Sequence, residues 1–334
     1  MADQRGVFRR SQALAAGHGR PDFERLVRAG AWVAMRHGIY TTRERYDEAQ
    51  QQPVATLLLA AAARRLAITG DTLLSHTGAA FAHGATLLDD LPAEPTLTLH
   101  RAGPERQTAH GLYVARVPPE HRVRTSPMTT FARAVADCAR TLTEEAAFVT
   151  IESALHAGLD RDEIFAVLQA CAGWPGSAAA RVLVDLAGPW SESPLESLSR
   201  LMFLAQRLPR PEQQLTILRV GGGFIARVDF LWEQFRTVCE VDGKIKYGKL
   251  AYDGTLKDDG KDNVLWREKL REDVVRDLGL EVVRGTSLDR ADNGAALADR
   301  LRRAFVRGLR RDEPAAYILQ RPRLIVPRRF DATA

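Results

Sequence analysis

Arg227-Val228-Asp229-Phe230-Leu231-Trp232, a polar break at Glu233-Gln234-Phe235, and Arg236-Thr237-Val238-Cys239-Glu240-Val241-Asp242-Gly243-Lys244 read as one β-hairpin. Both runs are of strand length, and the turn falls near Glu233 to Phe235. Symmetry about that turn sets Asp229 opposite Glu240. Side chains alternate along a strand, so Glu240, Asp242 and Lys244 leave the same face. Carboxylates gathered in a sheet repel one another, and each resists leaving water. A divalent cation offsets both costs, since hard ions such as Mg2+ take carboxylate oxygens and keep waters for chemistry. A nearby lysine then stabilises an anionic phosphate or helps position an attacking water. The bland alternative is an edge hairpin with a solvated, charged face.

Working outward, Ser193-Pro194-Leu195-Glu196 is a capping box with proline at the first helical position. It opens a helix carrying Leu195, Leu198, Leu201 and Met202. Strand-like runs follow over 214–220, 224–232 and 236–241. A second helix is expected from about Asn263 to Leu278, stopped by Gly279, and then a strand over 280–284. Gly221-Gly222-Gly223 has no Gly-Lys-Ser/Thr after it and precedes a strand, so it reads as a hairpin turn and not a phosphate loop.

The runs Val-Asp-Phe-Leu-Trp, Glu-Val-Asp-Gly-Lys-Ile-Lys-Tyr-Gly and Arg267-Glu268-Lys269-Leu270-Arg271-Glu272-Asp273 resemble the PD-(D/E)XK nuclease superfamily, in its branch related to very-short-patch-repair endonucleases. The resemblance covers about Ser191 to Arg310. It implies a restriction-endonuclease-like core of order αβββαβ and a Mg2+- or Mn2+-dependent hydrolase of DNA. On it, Asp229 and Glu240 are metal ligands, with the Val241 carbonyl as a third. Val228 stands where the family has proline. The second motif is either Glu240-Val241-Asp242 or Asp242-Gly243-Lys244, so Asp242 and Lys244 are both candidates to orient water or touch phosphate. The related nucleases also carry a glutamate on the first helix that leans toward the metal. Glu196 therefore has two compatible readings, cap and site. Lys246, Lys249, Lys269 and Arg271 are the expected contacts to the DNA backbone.

The chain has 334 residues, 45% of them hydrophobic, and a net charge of +5, a lean toward nucleic acid. All the lysines fall between Lys244 and Lys269, around the motif, while residues 1–190 are neutral overall. Cys138, Cys171 and Cys239 have neither disulfide nor metal spacing and read as buried thiols in a reducing compartment. The chain opens without a signal-like apolar region, and its longest apolar stretch, near Val54 to Ala63, is too short to span a bilayer. The expectation is a cytoplasmic protein with no membrane partner. No histidine follows His156, which argues against HNH or His-Cys nuclease chemistry in the C-terminal half.

Near the N-terminus, a short helix from Arg10 stops at Gly17, and Arg20-Pro21-Asp22 starts another with Phe23, Leu26 and Val27 on its apolar side. Trp32 to Met35, a His37-Gly38 turn and Ile39-Tyr40 make a hairpin wing. This pattern resembles the N-terminal winged helix of AbiEi-type antitoxins from abortive-infection systems. It implies DNA binding through Arg20, Arg25 and Arg28; the alternative is a docking module. Ser75-His76-Thr77-Gly78-Ala79-Ala80, the strand-like Thr96-Leu97-Thr98-Leu99 and Thr125-Ser126-Pro127 resemble the middle of the same proteins. His76 and His83 have no third ligand in view and read as structural histidines.

The sequence thus predicts an α+β, multi-domain chain. A winged-helix, antitoxin-like domain (1–50) precedes a mixed middle domain (51–190). An endonuclease-like α/β core (191–312) and a C-terminal tail (313–334) follow. The function expected is a metal-dependent DNA endonuclease with an antitoxin-like head, and a toxin or another defence-system protein is a further partner. The rival is a non-catalytic, DNA-binding regulator of a toxin-antitoxin system.

Overall fold

The computed structural model describes residues 6–103, 105–108, 111–242, 272–311 and 316–323, in which helices combine with three separate sheets in an α+β architecture. The chain divides into two units between Ala187 and Gly188, where glycine, proline and serine cluster.

Unit 1 opens with β1 (Val7–Arg9), α1 (Arg10–Ala15), α2 (Arg20–Arg28), β2 (Trp32–Arg36), β3 (Ile39–Thr42), α3 (Arg43–Gln50) and α4 (Pro53–Ala67). Both helices and the hairpin lie where the sequence predicts them. Gly38, at φ +72°, supplies the left-handed residue between β2 and β3. Strand β1 was not foreseen, because three residues carry too little period to read. It joins β3 and completes an antiparallel sheet of order β1-β3-β2. One side of this region buries Phe8, Ala13 and Phe23 against Trp32 and Tyr40. The other buries Val7, Ile39 and Ala49 together with Leu59, Ala62 and Ala63 of α4. Residues 6–50 therefore share a core with the helix that follows them.

The rest of unit 1 contains β4 (Thr72–Leu74), α5 (His76–Ala82), β5 (Leu97–His100), β6 (Arg106–Gln107), β7 (Leu112–Ala115), α6 (Phe131–Thr141), α7 (Glu144–His156), α8 (Arg161–Ala170) and α9 (Ser177–Leu186). Its sheet runs β4-β5-β7-β6, with β5 and β7 parallel. Thr130, Thr143 and Asp160 cap α6, α7 and α8 through side-chain oxygens that accept backbone N–H groups.

Unit 2 contains α10 (Pro194–Ala205), β8 (Glu212–Arg219), β9 (Phe224–Trp232), β10 (Thr237–Asp242), a helical segment at 272–277, β11 (Glu281–Thr286), a C-terminal helix Ala295–Arg310 and β12 (Tyr317–Gln320). The sheet order is β11-β10-β9-β8-β12; only β10 and β11 pair in parallel. The triglycine closes the β8–β9 hairpin, with Arg219 N–H donating to Gly223 O at 2.7 Å. Strand β12 lies in the segment expected as a tail and covers the edge of β8. Phe203, Phe230, Trp232, Cys239, Val283, Leu297, Leu301 and Phe305 form one core of this unit. Leu215, Ile217, Val228, Val238, Val275 and Leu280 form the other. Gly308 lets the C-terminal helix close on the β9–β10 turn, since a Cβ there would lie 2.1 Å from Phe235 O.

Candidate functional site

The site begins with a cap. Ser193 Oγ accepts the Glu196 N–H at the start of α10, and the same hydroxyl donates to Glu196 Oε1 at 2.7 Å. Glu196 Oε2 accepts two further bonds, from Glu192 N–H at 3.0 Å and from Gln214 Nε2 at 2.7 Å. Glu196 is buried, and all of these donors are neutral. Burial pushes its pKa up and the nearby Asp229 charge adds to that, while the hydrogen bonds pull the other way.

Gln214 Nε2 also faces Asp229 Oδ1, at 3.5 Å. The other Asp229 oxygen accepts the Val241 N–H at 2.8 Å. That bond accounts for the end of the β9–β10 ladder, because the carboxylate takes a donor that a backbone carbonyl would otherwise hold. The ladder pairs Thr237 with Trp232, Val238 with Leu231 and Cys239 with Phe230. Continued by one residue, that register would set Glu240 opposite Asp229, but the ladder itself ends at Cys239 and Phe230.

Gln214 lies between the rungs Gln213–Phe230 and Leu215–Val228, level with Asp229. Its backbone is left-handed, at φ +55°, which is costly for a residue with a side chain. On the far side of β10, Glu240 pairs with Arg284 of β11. Gln214 is thus level with Asp229, and Glu240 with Arg284, where the β9–β10 ladder ends. Glu240 is half-buried. Cys239, beside it, is buried, and burial followed by the Asp229 charge raises its thiol well above the ordinary range. It stays protonated and is no nucleophile.

Asp242 ends β10, and its side chain is outside the described residues. Lys244, Lys246, Lys249, Lys269 and Arg271 also lie outside them, as does most of the helix expected from Asn263. Arg20, Arg25 and Arg28 are exposed on α2, with Arg25 tied to Asp22 at 2.9 Å.

A second acidic group sits in unit 1. Among the described residues, the one set of three His, Cys, Asp or Glu side chains with ligand atoms all within 4.8 Å is His76, Glu105 and Asp137. Glu196, Asp229 and Glu240 are not drawn together that tightly. Asp137 accepts from Arg133 Nε at 2.9 and 2.8 Å and from Arg140 Nη2 at 3.0 Å. Arg140 Nη2 also donates to Glu105 at 2.5 Å. Both guanidiniums stack over Trp174. Burial would raise Asp137, but Arg133, His76 and Arg140 outweigh it and hold its carboxyl below the usual range. His76 stacks on Tyr113, and burial lowers it to about 4, so it is neutral at pH 7. Its Nε2 lies 3.6 Å from Glu105 Oε1, and neither atom has a hydrogen bond among the described residues. His83 instead meets Thr129 O, at 2.9 Å, so the two histidines do not share a site. Two internal guanidiniums already occupy these carboxylates and repel a cation. The guanidinium pairs make the group an ion-pair network.

Sequence reasoning did not find Gln214 or the arginine network. The network had a visible signal in Arg133, Asp137 and Arg140, three charges at helical spacing inside an alanine-rich run. Gln214 had none, since a bridging amide needs the two acids placed first.

No family model matches the chain. It is 34% identical over 122 residues to each of two uncharacterized proteins of Mycobacterium tuberculosis, one from strain CDC 1551 / Oshkosh and one from strain ATCC 25618 / H37Rv. The aligned stretch is 36% of this chain and 43% of each relative, so the chain spans less than half the length of the relatives it matches. Among the described residues, no helix is long and apolar enough to cross a membrane.

Proposed function

We propose that unit 2 is a PD-(D/E)XK-type endonuclease domain that hydrolyses DNA phosphodiester bonds with Mg2+ or Mn2+, and that residues 6–50 are a winged-helix, DNA-binding head. The observation that carries this reading is Glu196 brought to Asp229 through Gln214, with the Val241 N–H, next to Glu240, on the other Asp229 oxygen. Support also comes from the element order, a helix, three antiparallel strands, a helical segment and a strand parallel to the third.

The residues fit a hard cation. Asp229 and Glu240 would hold it, and so would the Val241 carbonyl. A residue's N–H and C=O leave a strand by the same edge, and the Val241 N–H already points at Asp229. A bound divalent ion supplies charge for the phosphoryl oxygens and lowers the pKa of a coordinated water. The chain's own part is positional. The Val241 N–H and Gln214 fix the Asp229 carboxylate, and Gln214 keeps Glu196 beside it without neutralising either. Asp242 or Lys244 orients the water. Lys246, Lys249, Lys269 and Arg271 hold the DNA backbone.

Plasmid and single-stranded DNA incubated with Mn2+ or Mg2+ test the reading. The wild type cuts, EDTA stops it, and Glu240→Gln abolishes cutting while DNA binding stays intact or tightens slightly. Failure to cut any DNA form with either metal, together with a silent Glu240→Gln, replaces the enzyme with a DNA-binding antitoxin or repressor.

A further inference from the structure

We infer that an arginine-lined pocket beside the candidate carboxylates binds a backbone phosphate of the DNA strand presented to them, a proposal that rests on the nuclease reading above. The pocket has a volume of about 380 Å3 and is lined by Val282, Val283, Arg284, Arg300, Arg303 and Arg307. Arg284 comes from β11. The other three arginines are at i, i+3 and i+7 of the C-terminal helix, a spacing that puts them on one helix face.

The charge balance points to an anion. Arg284 and Arg276 share Glu272. Arg307 and Arg311 share Glu281. Arg300 pairs with Asp289 at 2.8 Å. Arg303 is exposed and has no ion pair among the described residues. Of the four guanidiniums that line the pocket, three are paired with Glu272, Asp289 and Glu281, two of these carboxylates being shared with Arg276 and Arg311, and Arg303 brings a positive charge with no ion pair among the described residues. Guanidiniums bind phosphate oxygens in forked, charge-assisted pairs, so the match is to phosphate chemistry. The register favours a polymer over a free ion. Arg284 is the rung partner of Glu240, so this positive pocket begins one strand away from a proposed metal ligand. Neighbouring strands are about 4.8 Å apart. A phosphate held at this pocket would lie on the same strand of nucleic acid as a neighbouring phosphate at the carboxylates.

The test is fluorescence anisotropy of a labelled duplex with the full chain in EDTA, across a salt series, so that binding is read without cleavage. Arg303→Ala is expected to weaken binding several-fold and to lower the slope of log K against log salt by about 1. Arg303→Glu weakens it more, and Arg303→Lys restores most of the slope. Unfolding midpoints equal to wild type confirm that the variants fold. Unchanged affinity and slope in Arg303→Ala and Arg303→Glu would overturn the pocket while leaving the nuclease reading to its own cutting assay. An altered slope in a protein that cuts no DNA would support the pocket and defeat the nuclease. Inorganic phosphate at matched ionic strength is expected to compete no better than chloride. Strong competition by phosphate, with no effect of Arg303→Glu on DNA, would assign the pocket to a free anion and overturn the proposal.

Discussion

The two acidic groups among the described residues hold similar side chains against different partners. In unit 1, Asp137 and Glu105 are met by Arg133 and Arg140, charges supplied by the chain itself. In unit 2, Glu196 is met by a hydroxyl, a backbone N–H and an amide, all neutral. Buried carboxylates paired with guanidiniums from within lock elements together. Carboxylates held in place by neutral donors keep their demand for positive charge. A carboxylate cluster is therefore read by what neutralises it, and the tighter cluster is here the structural one.

The largest expected effect breaks the unit 1 group. Asp137→Ala leaves two buried guanidiniums without their main partner and is expected to cost about 3–5 kcal/mol in urea unfolding. Asp229→Ala is expected to cost far less, and to abolish Mn2+ binding in calorimetric titration. Equal metal binding by wild type and Asp229→Ala would erase the distinction between the groups.

The next effect is pH-dependent. The folded state resists protonating His76, whereas the unfolded chain takes the proton near its ordinary 6.5. The stability from neutral His76 is full above that pH and is lost as pH falls from 6.5 to about 4, a change of about 3 kcal/mol. His76→Gln should flatten this part of the acid-unfolding profile.

Glu196 sharpens the contrast with the opposite sign. Its folded pKa is raised, so its contribution is present at low pH and is lost as pH rises through the folded value. Glu196→Gln should remove that loss and reduce the stabilisation by Mn2+, measured as the shift in melting midpoint with and without metal. The smallest effect concerns α2. Arg25→Ala/Arg28→Ala should leave stability within about 0.5 kcal/mol and make the salt dependence of DNA binding shallower in gel shifts.

The fold was legible wherever a local rule acts alone. The hairpin register followed from two strand-length runs about a polar turn, and α10 from Ser193, Pro194 and Glu196. The triglycine turn and the α1–α2–wing order were legible for the same reason. Strands β1 and β12 were not, because each is short and takes its identity from a distant partner, β3 or β8. Glu105 reaches His76 and Asp137 only through tertiary packing. Gln214 was hidden twice, by a polar side chain in a strand and by a left-handed backbone that glutamine does not advertise.

Gln214 also has an evolutionary consequence. Glutamine and lysine codons differ at one base. A Gln214→Lys change would put an ammonium between Glu196 and Asp229, where the amide now sits. Glu196 and Asp229 would then face a fixed positive charge, as Asp137 does in unit 1, and the proposed metal would be disfavoured. One nucleotide thus separates the proposed nuclease from a protein with the same scaffold that could only bind. On the proposed reading, a relative with lysine at this position would not cleave DNA.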